Sequence, residues 1–277
     1  MSPQFRLAAR YLLEHPQDIA VESMRSIAGR IGVQPPTMVR LAQSLGFDGW
    51  PQLRALYVER VRSRPEPYAL RARDLVRRGD PKALIAESLR AQQANLERAQ
   101  AEDPGAQVRA ARMLARARTV HVAGFRACHA IAFAFHYLYR LFRDSVCLLA
   151  GEAGTLEMQL RSIGPKDATV IISFAPYSRE ARLVATAARR TGGRIVAITD
   201  SMVAPIALAA DETILIPVAS TSFFPSITPG IAVAETLIEI LVSMGGEATV
   251  GRIENAERQL RESGAYEARL RKSRTPQ

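Results

Sequence analysis

Two groups of side chains carry the chemistry available to this sequence. The first lies within Met24–Trp50, MRSIAGRIGVQPPTMVRLAQSLGFDGW. There Gln34, Thr37, Val39, Arg40 and Gln43 are expected on the outward side of one helix, opposite Met38 and Leu41. Glutamine can bond an adenine edge, arginine a guanine edge or a phosphate, threonine a phosphate, and valine a thymine methyl. The second group is split between loops. One holds Gly124, Arg126 and Cys128, another Ser173, Tyr177, Ser178 and Arg179, and Thr199 ends a separate apolar run, RIVAIT. Guanidinium groups, hydroxyls and the free N–H groups of a helix start suit a phosphate or carboxylate. His129 and His136 have no carboxylate or cysteine in register, so no metal site is expected. Glu152, Glu180 and Glu235 pair into no recognisable catalytic set, so no catalytic residue and no cofactor is expected either.

These groups need particular elements to position them. Ile27, Ala28 and Ile31 line one face of a first helix, and Gly32 follows where a turn requires positive φ. Val33 plugs the turn, Met38 and Leu41 form the inner stripe of a second helix, and Gln34 stands as its N-cap before Pro35 and Pro36. Small and apolar positions in this register predict a helix-turn-helix whose second helix enters the major groove. The competing reading is an ordinary helical hairpin with a solvated face. A helix over Phe5–His15, stopped by Pro16, and another carrying Trp50, Leu53, Leu56 and Tyr57 close an all-α bundle over residues 1–60.

Residues 61–82 change character: arginines dominate and prolines interrupt, which predicts a linker containing a short helix. Its arginines either touch flanking phosphates or are simply solvated. Alanine- and arginine-rich helices with few caps are expected over 83–101 and 106–117. From Thr119 the pattern alternates: TVHVAGF, VCLLAG, ATVIISFA, RIVAITD and ETILIPVA read as strands, each followed by a helix. Helices are expected over Thr228–Met244 and Arg252–Arg271 at the end. Five apolar strands with intervening helices predict a parallel α/β sandwich over 83–277. In a flavodoxin-like order, 2-1-3-4-5, ligands bind where the order reverses, between the first and third strands. The loops at 124–129 and 173–180 meet at that point. The loop at 220–226 follows the fifth strand and is placed to close over it.

Composition narrows the partners. The 277 residues carry a net charge of +10, which suits a polyanion such as DNA. Two cysteines, Cys128 and Cys147, make neither a disulfide framework nor a metal spacing, as expected of a reducing cytoplasm. The N-terminus has no signal-peptide core, and the longest apolar stretch, Ile231–Met244, is interrupted by Glu235 and Glu239, so no membrane association is expected.

The chain resembles the RpiR/MurR family of bacterial transcriptional regulators over nearly its whole length. In the first domain the similarity rests on IAGRIGVQPPTMVRLAQSLGFDGWPQL, where Thr37 and Arg40 match and Gln34 replaces the usual serine. In the second it rests on ITDS, Pro205 and the pair Ala210–Asp211. The resemblance implies a sugar isomerase (SIS) domain with two phosphosugar loops. The first usually reads Gly-x-Gly-x-Ser; here Gly124 is kept, Arg126 replaces the second glycine and Cys128 the serine. The second usually reads Ser-x-Ser-Gly-x-Thr; Ser173 and Ser178 stand at its ends, and Ala175 and Pro176 replace its centre. The expected protein is a cytoplasmic, homodimeric or homotetrameric regulator. It binds palindromic double-stranded operator DNA and senses a small anionic metabolite, a phosphosugar or a sugar acid. Two alternatives stand beside it: a sugar-phosphate isomerase with a fused DNA-binding module, and a SIS domain serving only as an oligomerisation scaffold.

Overall fold

The computed structural model describes residues 3–62 and 67–265. The N-terminal bundle comprises α1 (Pro3–Glu14), α2 (Pro16–Val21), α3 (Met24–Ile31), α4 (Pro35–Ser44) and α5 (Trp50–Arg62). Pro16 does end α1, but it also opens α2 as the first residue of a new helix, where its missing N–H costs nothing. Gly32 adopts φ 70° at the C-cap of α3, and the Val33 N–H then bonds to Ala28. Ile27, Ala28, Met38 and Ala42 are fully buried where α3 and α4 cross. Two arginines that the helical pattern leaves unremarked hold the bundle. Arg30 donates to Glu22 at 2.7 and 2.8 Å, to Asp18 at 2.9 Å and to the Tyr11 hydroxyl at 2.8 Å. Arg54 donates to the Ile19 and Ala20 carbonyls near the end of α2, groups that helix geometry leaves without intrahelical partners. Val203, from a loop of the second region, is buried against the same core.

Three helices follow: α6 (Tyr68–Arg78), α7 (Pro81–Ala101) and α8 (Pro104–Arg116). The short helix expected in the linker is α6; Pro65 and its neighbours at 63–66 lie outside the described residues. The expectation of few caps on the next two helices is corrected. Asp80 and Asp103 accept from the Lys82 and Gly105 N–H groups at 3.0 and 2.8 Å, each followed by proline at the first helical position. The Asp-Pro pairs start both helices a turn's half earlier than their apolar pattern suggests.

The sheet consists of β1 (Val120–Gly124), β2 (Val146–Leu149), β3 (Ala168–Ile172), β4 (Arg194–Thr199) and β5 (Glu212–Leu215), all parallel in the order β2-β1-β3-β4-β5. Helices α8, α9 (Cys128–Arg140) and α12 (Thr228–Glu262) cover one face; α10 (Leu156–Leu160) and α11 (Arg179–Thr191) cover the other. Every residue of β1 and β3 is buried, which is why those strands read as unbroken apolar runs. The two helices expected at the C-terminus are one element broken at Gly246, whose φ of 56° departs from helix before the chain resumes. The expected continuation to Arg271 runs past Ala265 and so lies outside the described residues. Between β4 and β5 only a single 3₁₀ turn, Ala207–Ala209, stands where a short helix was expected. No helix among the described residues is long and apolar enough to cross a membrane.

At the amino end of the sheet, Asp167 is buried and accepts from the Gly164 N–H at 2.7 Å and from Arg118 at 3.1 Å, with His121 Nε2 3.2 Å away. Burial pushes this carboxyl up, but the Gly164 N–H, His121 and Arg118 together outweigh it and hold it below the ordinary carboxylate range. A lowered folded-state value means that the stabilisation is present at neutral pH and is lost as pH falls through that value. Urea unfolding at pH 7 and pH 3 should therefore show a larger loss of stability in the wild type than in Asp167→Asn; equal losses would remove Asp167 from the acid response.

Candidate functional site

Beyond the carboxyl ends of β1 and β3 the chain leaves a cavity of about 670 Å³. It is lined by Phe125, Arg126, Ala127 and Cys128 from the first loop and by Ser173, Phe174, Pro176, Tyr177, Ser178 and Arg179 from the second. Tyr68 of α6 and Phe224 of the loop after β5 complete it. Six of the eight ligand-binding residues expected from the sequence thus line one space. Gly124 and Thr199 do not. A Cβ on Gly124 would stand 2.4 Å from the Cys128 carbonyl oxygen, so this glycine serves the close approach of β1 to α9. Thr199 is fully buried at the end of β4, its hydroxyl 3.3 Å from Asp200.

The two loops differ in what they offer an anion. In the first, the N–H groups of Cys128, His129 and Ala130 bond back to the carbonyls of Phe125, Arg126 and Ala127, so the start of α9 does not present the free donors expected of it. Arg126 has φ 56°, in the left-handed region that favours glycine, and its guanidinium is exposed, 3.8 Å from Glu180. Arginine thus stands here in a backbone conformation that glycine adopts freely. In the second loop Ser178 caps α11 by accepting from the Ala181 N–H at 3.1 Å, which leaves its hydroxyl hydrogen available. Arg179 is exposed and has no carboxylate partner among the described residues. Tyr177 lines the cavity with its ring, but its hydroxyl donates to Asp200 at 2.9 Å, and Asp200 also accepts from the Ala175 N–H at 3.2 Å. Tyr177 and Asp200 therefore brace the loop. Cys128 is buried, and desolvation pushes its thiol up to about 11, with the Asp200 charge adding to it against a bond from the Phe174 backbone.

On the N-terminal bundle, Gln34, Arg40 and Gln43 are exposed on the outer side of α4, and Gln34 caps the helix through its backbone without a side-chain bond. Two expected readers are placed differently. Thr37 is 2 % exposed and faces the bundle, and Val39 is half-buried against the same core. The inner stripe of α4 holds Thr37, Met38, Leu41 and Ala42, two residues more than the Met38–Leu41 spacing implies. Pro36 and Ser44 take exposed positions beside Arg40 and Gln43.

Comparison with known proteins decides the family. The helix-turn-helix domain of the rpiR family matches residues 4–61 and the SIS domain matches residues 113–240. The uncharacterized HTH-type transcriptional regulator YfhH of Escherichia coli is 30% identical over 203 residues, which span 69% of this chain and 68% of that protein. The chain belongs to the rpiR family of transcriptional regulators. HexR of Pseudomonas aeruginosa, another HTH-type regulator, is 25% identical over 241 residues, spanning 86% of this chain and 82% of HexR. Among solved structures, the sugar isomerase domain of an RpiR transcription factor from Sphaerobacter thermophilus superposes with a TM-score of 0.60 at 23% identity, covering 63% of this chain and 98% of that one. Vibrio vulnificus NanR, solved with ManNAc-6P, superposes with a TM-score of 0.59 at 18% identity over 96% of each chain. The regulator thus shares its fold with both. Of the cavity residues, Phe224 lies on a loop that the sequence marks for closure, whereas nothing in the sequence assigns Tyr68 to the site.

Two outcomes follow from this geometry. Arg126→Gly removes left-handed strain of roughly 1–2 kcal/mol and adds unfolded-chain freedom of about 0.4–1 kcal/mol. Its melting temperature should equal or slightly exceed that of the wild type; a clear loss would mean that the arginine side chain holds the loop. At pH 7.5 iodoacetamide should alkylate exposed Cys147 well before Cys128, followed by peptide mass mapping; preferential labelling of Cys128 would show a thiol far more acidic than its burial implies.

Proposed function

We propose that this regulator binds palindromic operator DNA as a homodimer or homotetramer, through Arg40, Gln43 and Gln34 of the α4 face. Its ligand is a small anionic metabolite, a phosphosugar or sugar acid, held in the cavity between the two pocket loops. Residues 1–60 form the DNA-binding domain, 61–82 the linker and 83–277 the sensing and oligomerisation domain of a cytoplasmic protein. One observation carries the ligand class: Arg126 and Arg179 stand at the mouth of one cavity with the Ser173 and Ser178 hydroxyls and the start of α11. Two guanidinium groups without a strong carboxylate partner suit an oxyanion. NanR, of the same fold, was solved with a phosphosugar, which supports that choice.

On this reading the cavity is a sensor rather than an active centre. Moving a proton between sugar carbons requires a positioned acid–base group. The cavity wall contains no histidine, aspartate or glutamate, and its one thiol stays protonated at neutral pH. Ligand control of DNA affinity then requires only that the anion bind two arrangements of the protein unequally.

Thermal melting against glucose 6-phosphate, 6-phosphogluconate and gluconate tests the ligand class. A compound at a hundred times its dissociation constant should stabilise the fold by roughly 2.7 kcal/mol, a shift of several degrees. A shift in the wild type that is lost in Arg126→Ala/Arg179→Ala assigns the cradle, whereas no shift in the wild type with any of the three would refute the sensor. On the DNA side, Arg40→Ala should cost roughly 1–3 kcal/mol of operator affinity with melting unchanged. Undiminished operator affinity in that variant would show that α4 does not read the groove through Arg40.

A further inference from the structure

One wall of the cavity comes from neither pocket loop. Tyr68 opens α6, in the stretch between the two family-matched regions, and its ring packs on Phe224 at 5.1 Å and on Phe223 at 6.3 Å between centroids. Phe224 in turn meets Phe174 at 6.5 Å, and Phe174 directly follows Ser173 in the second pocket loop. A row of aromatic rings thus runs from α6 across the cavity to the loop that offers hydroxyls to an anion.

The strap at 219–226 packs on the sheet core through Phe224 and bonds to Val218 through the Ser226 N–H, and it is also tied to α6 and α7. Arg71 of α6 donates to the Ser220 carbonyl at 2.7 Å, and Arg78 donates to the Thr221 carbonyl at 2.9 Å. From α7, the fully buried Asn95 donates to the Ala219 carbonyl at 2.7 Å, and Gln92 accepts from the Ser226 hydroxyl at 2.6 Å. None of the side chains of α6 is buried; the strap contacts, the Arg78–Glu87 bridge to α7 at 2.6 Å and the short turn at Gly79–Asp80 fix where α6 lies. In the other direction α6 follows α5 closely in the chain, and α5 packs on α2 and α4 through Trp50, Leu53 and Tyr57.

We propose that Tyr68 is a ligand-contacting residue supplied by the interdomain segment, and that α6, tied to the strap by Arg71 and Arg78, carries pocket occupancy to the DNA-binding bundle. The inference rests on the reading of the cavity as an anion sensor. A sugar ring bound between Arg126, Arg179 and Phe224 lies against Tyr68. Its entry favours one position of the strap, and α6, bonded to that strap and bridged to α7 by Arg78–Glu87 at 2.6 Å, follows it. The coupling is then a difference in ligand affinity between two positions of one helix.

The test uses the full chain and a duplex selected by the wild type from a random pool, with glucose 6-phosphate, 6-phosphogluconate and gluconate as probes. Melting shift reports probe binding and fluorescence anisotropy reports DNA affinity. In the wild type the binding probe should change DNA affinity at least tenfold. Arg71→Ala/Arg78→Ala, which removes no side chain that lines the cavity, should keep the melting shift while the change in DNA affinity falls below twofold. Tyr68→Ala should weaken the probe several-fold and lose the response, and Tyr68→Phe, keeping the ring, should restore both. A full response in Arg71→Ala/Arg78→Ala and in Tyr68→Ala would overturn the proposal and direct attention to the Val203 contact. A wild type that binds none of the probes overturns the sensor reading itself, and that failure appears before any variant is made.

Discussion

The parallel pairing of β1 with β3 is the constraint on which the molecule depends. Val120–Gly124 pairs residue for residue with Ala168–Ile172, while β2 lies on the outer side of β1 and β4 on the outer side of β3. Because the order reverses at this pair, α9 leaves β1 toward one face and α11 follows β3 on the other. The departing loops cannot close over the strand ends between them, and a crevice remains. The strands are buried on both faces, so the position of the crevice is fixed by the whole core and not by the loops that line it. Loop residues can vary in chemistry without moving the site.

That freedom is visible in the two pocket loops. Arg126 keeps a left-handed backbone at φ 56° while placing a guanidinium where the family's usual glycine has no side chain. Such a conformation costs on the order of 1 kcal/mol or more in a residue with a Cβ, and the rigid start of α9 holds it in place. The second loop gives up its central Ser-Gly, and Asp200 takes over its bracing by accepting from Tyr177 and Ala175. In the proposed sensor, charge replaces backbone approach as the means of attracting an anion. Guanidinium groups tolerate a wider range of oxyanion positions than a tight ring of N–H donors, which suits a ligand bearing a carboxylate, a phosphate or both.

Much of this architecture is legible in the sequence, and the omissions have physical causes. Apolar runs identify the strands, most clearly the central β1, β3 and β4 that are covered on both sides, and the flavodoxin-like order 2-1-3-4-5 supposed for a strand–helix alternation is the one found. Gly32 marks its turn because only a residue without a Cβ takes φ 70° cheaply. Thr37 escapes because threonine is small enough to be buried and polar enough to be read as a DNA contact. Its orientation depends on how closely α1 and α4 approach, which no local spacing records. The Asp-Pro starts of α7 and α8 are local signals that the alanine-rich pattern obscures. Tyr68 could not be placed in the cavity at all, since its neighbours Phe223 and Phe224 are more than 150 residues away in the chain. Gly124 and Thr199 sit at strand ends that point toward the crevice, yet packing consumes both.

The central claim is that the anion cavity and the operator-reading face are thermodynamically linked within one chain. Linkage is reciprocal: a ligand that changes operator affinity by some factor must have its own affinity changed by the same factor when operator is bound. Isothermal titration of the binding sugar anion into the full chain, free and saturated with operator duplex, measures this directly. Dissociation constants differing by the factor found in DNA titrations with and without the anion would establish one coupled equilibrium. Equal constants in the two titrations, alongside tight binding in both, would contradict the account and leave the cavity without a role in DNA control.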